Sequence, residues 1–116
     1  MALLTTVRPA EPPGRPHTVV ELSGEADMND SAALRELIAA ESGGQTGTLV
    51  LDLSGLRFMD SAVLHVVLVA ARSMAGRGGT LALAAPTDPV RRILALSGGD
   101  QIVPVYDSVT EADQGV

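Results

Sequence analysis

The sequence predicts an α/β domain: a mixed β-sheet of four to five strands with helices packed mainly on one face. From residue 18 onward, short apolar runs alternate with segments of helical periodicity, the pattern of parallel strands joined by right-handed crossovers. Ahead of them, two β-branched runs flank a proline-laden connection, which adds an antiparallel pair and makes the sheet mixed. The 116 residues suffice for one domain and not for two, and 46% hydrophobic against 19% charged residues implies a packed core. Residues 1–17 are expected to form an N-terminal strand and proline loop, 18–112 the core, and 113–116 a short tail.

The elements follow in order. Residues 2–7 and 18–22 read as strands, the second ended by Ser23-Gly24. Between them, residues 8–16 carry four of the seven prolines and read as a loop. Asn29-Asp30-Ser31 offers helix caps, Leu34, Leu37, Ile38 and Glu41 recur at helical spacing, and Gly43-Gly44 supplies the stop. Residues 48–53 are almost continuously apolar, as in a strand covered on both faces, and Ser54-Gly55-Leu56-Arg57 reads as the turn after it. Asp60-Ser61 precedes a helix over 62–75 that Gly76 and Gly78-Gly79 end. Residues 80–84 form the next strand, and Thr87-Asp88-Pro89 opens a third helix with a capping residue and proline at its first position, closed by Ser97-Gly98-Gly99. Residues 102–106 can pair only at an edge because Pro104 has no N–H, and a last short helix can start at Ser108.

Composition removes whole classes of function. Eight arginines and no lysine stand against 14 acidic residues, a net charge of −6 that disfavours phosphate backbones and anionic lipid, so neither nucleic acid nor membrane is expected as a partner. Cysteine is absent, and the two histidines and scattered carboxylates lack metal-ligand spacing, so no metal and no cofactor are expected. The longest apolar stretch, residues 62–71, is broken by His65 and is far shorter than the ~20 residues of a membrane span. Residues 1–7 lack a basic flank and an apolar run of signal length, so the cytoplasm is the expected compartment; the chain is separately expected to be a monomer.

Chemistry is most legible where the central strand gives way to the second helix, at Met59-Asp60-Ser61-Ala62. A hydroxyl there sits beside unpaired backbone N–H groups at the positive end of the helix dipole, where a phosphate is readily accommodated. By themselves, these residues are read most simply as a helix cap worth ~1 kcal/mol, with Ser61 as a phosphoacceptor the sharper alternative.

Three stretches, Leu22-Ser23-Gly24-Glu25-Ala26-Asp27, residues 49–64 around Met59-Asp60-Ser61, and Ala95-Leu96-Ser97-Gly98, resemble the STAS family in its bacterial anti-sigma-factor-antagonist branch. The likeness spans residues 18–112. It implies that Ser61 is phosphorylated by an anti-sigma factor that is itself a serine/threonine kinase, with Asp27 and Asp60 as the flanking acidic positions. It also implies that the partner brings ATP and magnesium, and that a separate phosphatase resets the chain. Ala62 and Val63 stand where the family often carries a polar residue and a glycine. They keep open a second reading, a STAS interaction module that is never phosphorylated, in a stressosome-like scaffold or a transporter assembly.

On the second helix, Val63, Val66, Val67, Ala70 and Met74 share one flank and read as core, while Ser61, His65, Leu68 and Arg72 line another. The second set, with Ala62 and Val69 at its edge, is the expected docking stripe; the plainer alternative is a solvated face. Two rival readings fall short. Asp60, Ser61 and His65 suggest a hydrolase, but no Gly-x-Ser-x-Gly elbow is present. A receiver domain would resemble the strand carrying Asp52, but it requires a lysine that this chain lacks. His65 reads as a surface residue, His17 as a solvated loop residue, and Arg91-Arg92 as a solvated pair.

Overall fold

The computed structural model describes residues 2–10, 17–42 and 47–116. Five strands, β1 (Leu4–Pro9), β2 (Thr18–Ala26), β3 (Thr48–Met59), β4 (Thr80–Ala84) and β5 (Val105–Tyr106), form one sheet in the order β1-β2-β3-β4-β5. β1 runs antiparallel to β2 and every other pair is parallel, so the sheet is mixed as the alternation requires. Four α-helices connect or cover it: α1 (Ser31–Ser42), α2 (Ser61–Gly76), α3 (Asp88–Ser97) and α4 (Val109–Gly115).

Side-chain alternation along the strands divides the interior by size. Leu49, Leu51 and Leu53 of β3 and Leu81 and Leu83 of β4 face the side packed by Leu34 and Ile38 of α1, the apolar flank of α2, and Val90 and Leu94 of α3. The opposite face carries small residues, Val19, Val50, Ala82 and Ala84, and the short α4 lies over it with Ala112 fully buried. Three helices therefore cover the leucine face and one covers the other.

Several expectations require correction. Arg8 and Pro9, expected in the loop, are the last residues of β1, where an edge position asks no ladder bond of the proline. The rest of the loop and the Gly43-Gly44 stop lie outside the described residues. Ser23-Gly24 does not end β2; the strand continues to Ala26 through register shifts, with Gly24 at φ 93° and a Cβ there colliding with the Ala2 carbonyl oxygen. Nor is 54–57 a turn, because β3 continues along β2 to Met59 after β4 has ended. The freed margin of β3 is partly taken by Thr87, whose hydroxyl donates to the Leu56 carbonyl at 2.6 Å instead of capping α3. β5 is reduced to two residues. Gly98 at φ 77° ends α3 as expected, and Gly78 at φ 80° follows α2.

His17 departs furthest from expectation. Its side chain is fully buried and its Nε2 lies 2.8 Å from Oδ1 of Asp113, ninety-six positions along the chain. The bond pins α4, which takes in residues 113–115 of the expected tail, to the start of β2. Replacing Asp113 by Ala is expected to cost about 1–3 kcal/mol in urea unfolding through loss of this largely buried hydrogen bond, and to speed hydrogen exchange in α4 ahead of the other helices.

Candidate functional site

The register of the two longest strands creates the site. Ala26 of β2 pairs with Met59 of β3, so the residues that follow, Asp27 and Asp60, leave the sheet side by side at its carboxyl-terminal edge, where open α/β sheets place their sites. The Asp60 backbone N–H donates to the Ala26 carbonyl at 3.2 Å. Asp60 is the N-cap of α2: Oδ1 accepts the Val63 N–H at 3.0 Å, and Oδ2 accepts the Met28 N–H at 2.8 Å. One carboxylate thus ties the start of α2 to the short 3₁₀ turn Met28–Asp30. That turn has its own reciprocal cap, in which Asp27 Oδ1 accepts the Asn29 N–H at 2.9 Å and Asp30 Oδ2 accepts the Asp27 N–H at 3.0 Å.

Ser61 is the first residue of α2 and is exposed. Val63 N–H is consumed by the cap, while the amides of Ser61 and Ala62 have no protein acceptor among the described residues. Both oxygens of Asp60 are engaged by backbone amides, and Asp60 and His65 share no hydrogen bond among the described residues. Among the described residues no cluster of three metal-ligating side chains exists, and no helix is long and apolar enough to cross a membrane.

The expected docking residues divide. His65, Val69 and Arg72 are exposed and Ala62 is half-buried, but Leu68 is half-buried against the core. His65 and Val69 turn toward α1, where they line a furrow that Leu68 and Arg72 do not reach. The core flank also shifts: Leu64 and Ala71 are buried, and Ala70 only partly so. Val63 has no exposed surface, so its bulk lies in the core and not on the outer face of the first turn.

Sequence reasoning missed two apolar residues at this end of the sheet. Met28 is 70% exposed, directly beside the Asp60 carboxylate, and Phe58 is 43% exposed near the end of β3. The available signal was Phe58 itself, the single phenylalanine of the chain, set between Arg57 and Met59 just before the acidic pair. Its outward direction depends on the register shift between β2 and β3, which only the structure reveals.

A single α/β domain with a mixed five-stranded sheet and four helices matches the solved structures of anti-sigma factor antagonists. Residues 13–104 match the family described as "Mlab, STAS domain", and the chain belongs to the STAS family. It is 37% identical over 95 residues to an anti-sigma F factor antagonist of Paenibacillus polymyxa, covering 81% of each chain. Among solved structures it is similar to an anti-sigma factor antagonist from Mycobacterium paratuberculosis, with TM-score 0.81 and 29% identity over 96% of this chain and 91% of that one. The fold is also that of the Bacillus cell fate determinant SpoIIAA in its phosphorylated form, with TM-score 0.65 and 24% identity over 92% and 96% of the two chains.

The double role of Asp60 predicts separable effects. Asp60→Asn keeps an oxygen for one of the two amides, whereas Asp60→Ala removes both acceptors and should cost about 1–2 kcal/mol more than the asparagine variant in thermal or urea unfolding. In the alanine variant, amide exchange should rise at Met28 and Val63 together.

Proposed function

We propose that this chain is an anti-sigma factor antagonist switched by phosphorylation of Ser61. Unphosphorylated, it captures a cytoplasmic anti-sigma factor that is a serine/threonine kinase, and so frees a sigma factor. The kinase, bringing its own ATP and magnesium, transfers a phosphoryl group to Ser61 and lets go; a phosphatase restores the hydroxyl. The observation that carries this reading is the exposed Ser61 hydroxyl, held at a fixed helix start beside Asp60 and Asp27. The names of the Paenibacillus and Mycobacterium relatives support the antagonist role.

The switch is electrostatic. A phosphoserine adds about −1.5 to −2 charge where Asp27, Asp30 and Asp60 already cluster, on a chain of net charge −6. A partner packed closely against that helix start must desolvate the dianion, and ~4 kcal/mol of penalty is about three decades of affinity. No refolding is needed, because the cap uses Asp60 oxygens and not the serine hydroxyl. The buried position of Val63 supports the switch over the non-phosphorylated scaffold, since the residue that departs from the family's glycine does not crowd a kinase from outside. The docking surface comprises Ala62, His65, Leu68, Val69 and Arg72, with Met28 and Phe58 as apolar contacts at its upper end.

Incubation with ATP, magnesium and candidate anti-sigma kinases should place phosphate on Ser61 by mass spectrometry, and Ser61→Ala should abolish it. Ser61→Asp should weaken anti-sigma factor binding by a factor of ten or more, and Leu68→Asp with Arg72→Glu should weaken it in a protein that stays folded. No modification by any kinase, with binding unchanged in Ser61→Asp, selects the scaffold reading instead.

A further inference from the structure

We infer that the furrow between α1 and α2 is a binding site for a slim amphipathic anion, with a medium-chain carboxylate as its simplest representative. The inference does not depend on phosphorylation of Ser61. The furrow has a volume of about 240 Å³, just below the range of roughly 300–1,000 Å³ usual for drug-sized ligands. It therefore suits an extended chain better than a fused ring system. It exists because small residues, Ala39 on α1 and Ala70 on α2, face the gap where leucines would close it. The floor is apolar and mostly buried, formed by Ile38, Val66 and Met74, with Val69 half exposed at the lip.

The charges around this apolar floor have one sign. β2, β3 and β4 are parallel, so α1 and α2 both return across the sheet in the same direction and lie side by side. Arg35, early on α1, therefore accompanies His65, early on α2, at one end of the furrow, and Ser42 accompanies Ser73 and Arg77 at the other. From His65 to the end of α2 at Gly76, next to Arg77, is a rise of about 16 Å. Two of the eight arginines line the furrow and none of the described acidic residues does, on a chain where acids outnumber arginines 14 to 8. Arg77 is steadied by its own helix, its Nε donating to the Ser73 carbonyl at 3.3 Å. Arg35 has no hydrogen-bond or ion-pair partner among the described residues, so its guanidinium is available to a carboxylate without breaking an existing pair. An alkyl chain on the floor with its carboxylate on Arg35 or Arg77 matches both features; a cationic or neutral amphiphile matches only one.

The test is a titration of the full chain with sodium decanoate, kept below its micelle-forming concentration and followed by amide NMR. Saturable shifts are expected at Ile38, Ala39, Val66, Val69 and Ala70, with octanoate about tenfold weaker for its two missing methylenes. Arg35→Gln combined with Arg77→Gln, both exposed positions, should weaken decanoate at least fivefold, and Ala39→Trp, which fills the furrow from an exposed site, should abolish the shifts. Absence of saturable shifts, equal binding of decyltrimethylammonium, or indifference to these substitutions overturns the proposal. So does movement of the furrow amides only with an acidic peptide or with rising protein concentration, which would assign the furrow to a protein segment or to a second copy.

Discussion

One carboxylate holds the functional end of this molecule together. Asp60 accepts from Val63 in the first turn of α2 and from Met28, thirty-two positions before it in the turn after β2, so two distant chain segments share one carboxylate. Hydrogen bonds to a charged group are worth about 1.5–3 kcal/mol each when buried, and half-burial of Asp60 keeps part of that value. The bridge is possible only because β2 and β3 run parallel in a register that sets Ala26 against Met59. Ser61 inherits a fixed position from it without contributing to it. The cap bonds beneath it do not involve its hydroxyl.

The sheet behind that end is asymmetric in a way that matches its two coverings. Leucines fill the thick side beneath α1, α2 and α3, while alanines and valines on the thin side let the seven-residue α4 sit close. A short helix with one fully buried residue has little apolar area to hold it, and the His17–Asp113 bond supplies the missing specificity. The two coverings are thus maintained by different means, broad aliphatic packing on one side and a small apolar cluster joined by a polar pin on the other.

Local signals in the sequence carried most of the fold. Alternation of period announced the β and α units, Asp60 announced the start of α2, and Gly98 the end of α3, since each acts within a few residues of itself. What stayed hidden depends on distant partners. His17 looks like a loop residue until Asp113 arrives from the far end of the chain, and the bond from the Thr87 hydroxyl to the Leu56 carbonyl exists only because the margin of β3 is free there. Residues 54–57 carry turn-like composition, yet pairing with β2 extends the strand through them. The placement of the candidate serine and its acidic neighbours at a helix start was legible; the exposed Met28 and Phe58 were not, because Met28 is set by the turn that Asp60 holds and Phe58 by a register shift between β2 and β3.

The margins of the sheet bear on how this chain behaves when crowded. On one flank β5 presents only two residues, too few to template a foreign strand. On the other, β1 ends in Pro9, which cannot donate, and Arg8 is drawn across to Glu21 at 3.1 Å. Filament growth by strand addition, were it ever seeded, would have to begin on the short span around Leu4 and Val7, the exposed apolar residues of that border.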